Sequence, residues 1–291
     1  MKKLIIDEYP PLDFNYFVNM GSKYSKFSIE DKKKLIDEVI GVHPILTCVL
    51  REAPIYFRIR NISNQSITHV HEIIWPKSNI GTPTRYGNMC YLAEADFTAL
   101  AETEDGERNT VIITRFKMLE NTELRIFPVG EIDMLVRSGK GYLTPPQAVS
   151  AILDRINACT IENHYTTLAY IMQDSFLFEQ LTCDSRELSG HTIRGILNRG
   201  KPRIDAIGYP SVKRRGGLNL GVVTDNFWDI WTFAGISKAR VRLLPFGYYD
   251  LIFLEHVIGI DSYGTLHWEK HPNKNEKKWL PLPASRVSWR P

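Results

Sequence analysis

The 291-residue chain lacks most of the features that announce a chemistry by themselves. Its four cysteines, Cys48, Cys90, Cys159 and Cys183, lie far apart and form no Cys-x-x-Cys, which excludes a zinc ribbon and a thioredoxin-type motif. Reduced, mostly buried thiols are expected instead. No apolar run approaches the roughly 20 residues of a membrane span. The apolar run Leu4-Ile5-Ile6 ends at Asp7, too short for a signal sequence, so a cytoplasmic location without a membrane partner is expected. Charge of one sign is not in excess. A net +3 admits anionic ligands such as nucleotides but is not the footprint of direct nucleic-acid binding. The close histidine pairs, His69-Val70-His71 and His267-x-x-x-His271, sit in no metal-ligand pattern, and no metal is expected. Gly216-Gly217-x-Asn219-x-Gly221 has neither the Lys-Ser/Thr of a P-loop nor the spacing of a Rossmann turn, and reads as a hairpin turn. No Gly-x-Ser-x-Gly elbow, internal repeat or low-complexity tract is present.

What remains is an ordinary globular composition, 43% hydrophobic and 24% charged, long enough for one large domain with extensions or two small ones. Residues 1–20 show no clean period and read as an arm or packed extended segment. Ser28-Ile29-Glu30-Asp31 opens a capping-box pattern, and Leu35, Ile36, Val39 and Ile40 follow helical spacing, predicting a helix at about 28–41. Ile55 to Arg60 alternates like a strand, with Arg58 and Arg60 on one face and Phe57 and Ile59 on the other. Residues 61–88 are rich in turn formers and read as a long loop. Met89 to Ala93 reads as a buried strand, followed by a helix capped by Asp96 and running to Glu102. Strands are expected at 110–116 and 122–127, then helical periodicity from Thr144-Pro145-Pro146 to about Leu181 with breaks. Residues 182–203 read as a polar connection, 205–209 as a strand, and Gly216-Gly217 as a turn into another. Further strands follow within 227–270, ahead of a charged, proline-rich tail. Short strands and helices without regular alternation imply an α+β fold.

Several residues have the chemistry to handle a nucleotide. Arginine offers a planar fork that matches phosphate oxygens, so Arg58, Arg60 and the loop residue Arg85 are candidates for a pyrophosphate clamp; exposed edge-strand arginines are the alternative. Glu102 is flanked by Ala99, Leu100 and Ala101. It is either a partly buried carboxylate able to hold ribose hydroxyls and offset positive charge at an anomeric carbon, or a solvated helix end. Ser211 follows Tyr209-Pro210 at the mouth of a strand and suits hydrogen bonding, or a simple turn.

Taken in order, these fragments resemble the RES-domain family. The chain reads Tyr56-Phe57-Arg58-Ile59-Arg60, then Cys90-Tyr91-Leu92-Ala93, then Thr98-Ala99-Leu100-Ala101-Glu102, then Gly208-Tyr209-Pro210-Ser211-Val212-Lys213, then Gly217-Leu218-Asn219. The family pattern is an Arg-x-Arg strand, a Gly/Pro/Asn-rich loop, Leu-Tyr-x-Ala, Thr-Ala-x-x-Glu, Tyr-Pro-Ser-x-Arg and Gly-x-Asn. The resemblance spans about 50–225, including the eleven-residue step from Tyr91 to Glu102. Cys90 stands in place of a leucine and Lys213 in place of an arginine, and Arg85 sits in Thr84-Arg85-Tyr86-Gly87-Asn88 where the family has Gly-Arg-Phe-Asn.

The resemblance implies an ADP-ribosyltransferase-like mixed β core with flanking helices and NAD+ as substrate. The domains would be an arm and helix at 1–49, a catalytic domain at 50–225 and a β-rich extension at 226–291 packed on it. It implies a toxin that hydrolyses or phosphorolyses NAD+ and is held inactive by an antitoxin or immunity protein. Arg58, directly after the aromatic, or else Arg60, would be the family's first arginine and would grip the pyrophosphate or the phosphate nucleophile. Glu102 would stabilise the oxocarbenium-like transition state, Ser211 would bond the ribose or nicotinamide end, and Tyr91 would stack nearby. Arg60, Arg85, Tyr209, Lys213 and Asn219 would complete the nucleotide site. Two other outcomes stay open at the level of sequence: an ADP-ribosyltransferase acting on a macromolecule, and a catalytically inactive nucleotide-binding or interaction module.

Overall fold

The computed structural model describes residues 10–44, 46–52, 54–62, 66–74, 89–103, 110–162, 164–199, 203–272 and 279–289. In chain order the elements are α1 (Phe14–Lys23), α2 (Ile29–Val42), β1 (Cys48–Leu50), β2 (Tyr56–Asn61), α3 (His71–Ile74), β3 (Met89–Ala93), α4 (Asp96–Glu102), β4 (Thr110–Met118), β5 (Leu124–Pro128), α5 (Glu131–Ser138), α6 (Pro146–Glu162), α7 (His164–Thr182), α8 (Arg186–Asn198), β6 (Ala206–Pro210), β7 (Leu218–Val223), α9 (Phe227–Ile230), β8 (Trp231–Leu243), β9 (Tyr249–Ile260) and β10 (Leu266–Lys270). The protein is mixed α+β, as its sequence pattern implies. Its described residues form two compact units interleaved in sequence, one within 10–49 and 125–210, the other within 50–124 and 211–289.

The first unit is mainly helical. Ser28 caps α2, its hydroxyl oxygen accepting from Asp31 N at 3.2 Å, and Leu35, Ile36, Val39 and Ile40 form the buried stripe of that helix. α2 packs on α7 and α8, and α7 also meets α1, α5 and α6. The central position of α7 explains why its buried residues, from Thr167 round to Leu181, cover several faces. β5 and β6 pair in parallel through Ile126↔Ala206, Phe127↔Ile207 and Pro128↔Gly208.

Several segments differ from the sequence-based expectation, among them α5, which is not one of the expected helices, and α4, whose capping position is Ala95 and not Asp96. The start is not simply an extended arm: from Phe14 it is helical, because Asp13 accepts from Tyr16 N and Phe17 buries its ring. Residues 186–198 are the helix α8 and not a polar connection. Ser185 caps it, and its Leu188, Ile193 and Ile196 are buried. Gly195 lets α8 approach α2 so closely that a Cβ there would lie 2.7 Å from Ile40 Cδ1. The glycine that looks like a breaker is a contact point. The expected 144–181 helical region is α6 and α7; α3 and Asn61 at the end of β2 replace part of the expected 61–88 loop, of which 63–65 and 75–88 lie outside the described residues.

A buried carboxylate organises this unit. Asp174 on α7 accepts from Gly130 N (3.0 Å), Ile132 N (2.8 Å) and Asp133 N (3.1 Å), and pairs with His43 Nε2 (3.1 Å). It therefore caps the N-terminus of α5 from another helix, where the capping position is Gly130 at φ 78° with no side chain to do so.

The second unit is an antiparallel sheet in the order β7-β3-β2-β4-β8-β9-β10. Phe57 pairs with Ala93 on one side and Arg115 on the other, and Ala93 pairs with Asn219. Directly paired residues share a face, so Asn219, Ala93, Phe57 and Arg115 form one cross-strand row. α4 packs on this face over β2 and β3, with Leu100 joining Val111, Ile113, Ala239, Val241 and Phe253 in a core that Phe57 and Ile59 border.

Candidate functional site

Glu102 ends α4, the helix that covers the Asn219 face. One of its oxygens, Oε1, accepts from Ser211 Oγ at 2.6 Å and from Asn219 Nδ2 at 2.7 Å. Ser211 lies 109 positions away in sequence and Asn219 117. Both are nearly buried, at 9% and 5% exposure, and charge-assisted bonds to a carboxylate are the strong kind. Oε2 receives no hydrogen bond from the described residues. Glu102 itself is half-buried. The result is a fixed carboxylate with one oxygen held and the other free to meet a ligand.

The Ser211 turn is built tightly. Ser211 N donates to Gly217 O at 2.7 Å, and the hydroxyl oxygen accepts from Lys213 N (3.2 Å) and Arg214 N (3.0 Å). These donors orient the hydroxyl hydrogen toward Glu102. Gly216 supplies the positive φ of 78°. Gly217 passes so close to α4 that a Cβ would lie 2.7 Å from Thr98 Oγ1. Tyr91 pairs with Gly221 on β7, and a Cβ at Gly221 would come within 3.3 Å of the tyrosine ring. The missing side chain lets the ring lie over the strand, on the same face as Asn219.

The structure brings Glu102, Ser211 and Asn219 into contact and sets Tyr91 on their face. Arg58 and Arg60 go elsewhere. Arg58 pairs with Thr114, one step out of phase with the Phe57–Arg115 pair, so both arginines occupy the opposite face from Asn219. The fork of Arg58 is engaged by main chain: Nε donates to Ile73 O (3.0 Å), Nη1 to Tyr91 O (3.0 Å) and Nη2 to Ile74 O (3.2 Å). It ties β2 to β3 and α3. Burial, with the neighbouring Arg58 charge second, pulls Arg60 down to about 10. Cys90 is sealed beside both arginines. Burial pushes its thiol up, against the pull of the two cations. The backbone N of Lys213 helps hold Ser211. Tyr209 lies on β6 and is half-buried. Arg85 lies outside the described residues.

Two residues of interest carry little signal in the sequence. Glu94 accepts from Leu218 N at 3.0 Å, and burial raises its carboxyl against the opposing effects of that N–H and of Arg214. It braces β7 next to Asn219. Its only sequence mark is an acid between a strand and a helix. Arg115 is a fully buried cation on β4, where an arginine within a run of apolar strand residues is the available clue.

A surface cleft of about 780 Å³ lined by Arg51, Lys117, Glu120 and Glu123 shares no residue with the Glu102 cluster. Among the described residues no group of three or more His, Cys, Asp or Glu is placed to hold a metal ion, and no helix is long and apolar enough to cross a membrane. Comparison with family models, with curated proteins and with solved structures returned no match.

Proposed function

We propose that the chain is an NAD+-consuming enzyme that breaks the nicotinamide–ribose bond, with an ADP-ribosyltransferase-like core of the RES-domain kind. One observation carries this reading: Ser211 and Asn219, from separate segments, both bind Oε1 of Glu102 and leave Oε2 open. A carboxylate held in this way can accept a ribose hydroxyl and face the positive charge that develops at the anomeric carbon. The C–N bond breaks with its electron pair leaving on nicotinamide. An incoming oxygen, from water or phosphate in a depleting toxin or from a macromolecule in a transferase, bonds to the carbon and releases its proton to solvent. Ser211 and Asn219 fix the carboxylate, so catalysis rests on positioning and electrostatics. Tyr91 supplies a ring on the same face. Arg58 is a positioning residue through its hold on Tyr91 O. An antitoxin or immunity protein is the partner this function calls for.

The test is to incubate the purified chain with NAD+, with and without inorganic phosphate, and to separate the products. Free nicotinamide with ADP-ribose indicates water as acceptor, and a phosphorylated ADP-ribose indicates phosphate. ADP-ribose attached to protein or nucleic acid after incubation with a lysate indicates transfer. No nicotinamide release under any of these conditions overturns the enzyme reading.

A second reading, a nucleotide-binding or interaction module without catalysis, is favoured by one feature. The arginine fork that the sequence offers to a phosphate is occupied by the carbonyls of Ile73, Ile74 and Tyr91. Saturable NAD+ binding with the dinucleotide recovered intact is the result that selects it.

A further inference from the structure

Arg115 is 1% exposed, yet its guanidinium is not neutralised. No carboxylate among the described residues forms an ion pair with it; Asp96 acts only through space. Three aromatic rings surround it, with centroids 5.8 Å (Phe57), 5.7 Å (Phe253) and 4.7 Å (Trp279) from Cζ. Rings offset part of the charge through their faces but give the N–H groups nothing to bond. Nη1 reaches Ser237 Oγ at 3.3 Å. Nε is sealed from water without an acceptor, and Nη2 has none among the described residues. Nε and Nη2 form one edge of the guanidinium, the edge whose two parallel N–H bonds match two oxygens of a single oxyanion.

The surroundings explain how such a group stays in place. Arg115 pairs across the sheet with Gly235, which has no side chain. The segment Trp279–Leu282 crosses there, held by Leu282 N donating to Ala234 O at 2.9 Å; a Cβ on Gly235 would meet Leu280 O at 3.0 Å and the Trp279 ring at 3.2 Å. The indole is thereby laid on the guanidinium and excludes water, which strengthens any charge interaction inside. Burial pulls Arg115 down to about 9, with Asp96 opposing. That remains far enough above neutrality to keep the cation.

We propose that Arg115 is the centre of a binding site for a phosphate-type oxyanion on the sheet face that carries Asn219. Three strand steps separate the two residues in the row Asn219–Ala93–Phe57–Arg115, roughly 14 Å. The anion is either free inorganic phosphate or the phosphate of a nucleotide. The site does not depend on NAD+ cleavage, because an oxyanion on Arg115 is read without turnover.

The experiment follows thermal unfolding of the full chain in phosphate-free buffer, adding inorganic phosphate or ADP at constant ionic strength set with chloride. The wild type is expected to gain Tm with at least one of them, and the ligand acting at the lower concentration identifies the source. Arg115→Met, which keeps the volume and removes the charge, is expected to show no response and a Tm at or above wild type without ligand. A wild type indifferent to both ligands overturns the proposal, as does an Arg115→Met that responds like wild type. Should Arg115→Met not fold, Arg115→Lys keeps the charge without the fork and is expected to weaken the response at least about tenfold; an unchanged response overturns it. Nicotinamide release plays no part in this readout, so a failed enzyme reading and a failed anion site are told apart.

Discussion

Glu102→Gln tests the proposed chemistry most directly. The amide is the same size, and its oxygen can still accept from Ser211 and Asn219, which sit at 2.6 and 2.7 Å from Oε1. The fold around the cluster is therefore expected to survive, and the change removes one negative charge. A carboxylate oxygen about 4 Å from a cationic ribosyl carbon in a partly buried site contributes about 4 kcal/mol at an effective dielectric of about 20. Mutagenesis of preorganised electrostatic groups elsewhere gives a similar size, about 3–4 kcal/mol. That converts to a loss of roughly 10²–10³-fold in rate. The loss belongs in kcat, since the positive charge exists only in the transition state. Single-turnover nicotinamide release, measured beside a thermal melt, separates rate from folding. A Glu102→Gln protein with an unchanged melt and a rate within about threefold of wild type, less than 1 kcal/mol, refutes the role given to Glu102.

Three further outcomes follow from the geometry. Asp174→Ala leaves the N–H groups of Gly130, Ile132 and Asp133 and the His43 ring without their acceptor; a loss of about 3–5 kcal/mol is expected in urea unfolding, and less than about 1 kcal/mol contradicts the tertiary cap. Gly217→Ala pushes a Cβ into the buried Thr98 side chain at 2.7–2.8 Å and is expected to cost about 1–3 kcal/mol and reduce activity by shifting Ser211; an unchanged melt and rate count against the close approach. Burial, with His271 second and Glu269 opposing, lowers His256, and burial with His69 lowers His71, so the unfolded chain takes up these protons first as pH falls. Stability is expected to drop below about pH 6.5, and His256→Gln to flatten that drop in melts across pH; a parallel profile argues against the histidine.

Local signals in the sequence were reliable where one segment decides its own structure. The Ser28 cap and the 35/36/39/40 stripe define α2 because both act within a few turns of chain. The alternation of 56–60 places Phe57 and Ile59 against the core and sends Arg58 and Arg60 the other way. The polar, glycine-containing sequence of 182–203 masks α8, and only the approach of Ile40 shows what Gly195 is for.

The sequence by itself determined the α+β class, the order of the main strands and which residue types were available for chemistry. The tertiary structure decided which of them meet. Ser211, Asn219 and Glu102 are joined over more than 100 positions, Asp174 and His43 over 131, and the Arg58 fork donates to the carbonyl oxygens of Ile73, Ile74 and Tyr91. Periodicity is a property of neighbouring residues and survives in one dimension. A hydrogen-bond partner depends on strand register and on where a helix lands across the sheet, and a change of one residue in register moves a side chain to the other face. The strand pattern paired Arg58 with Arg60; it took the register to set Arg115, and neither of them, in line with Asn219.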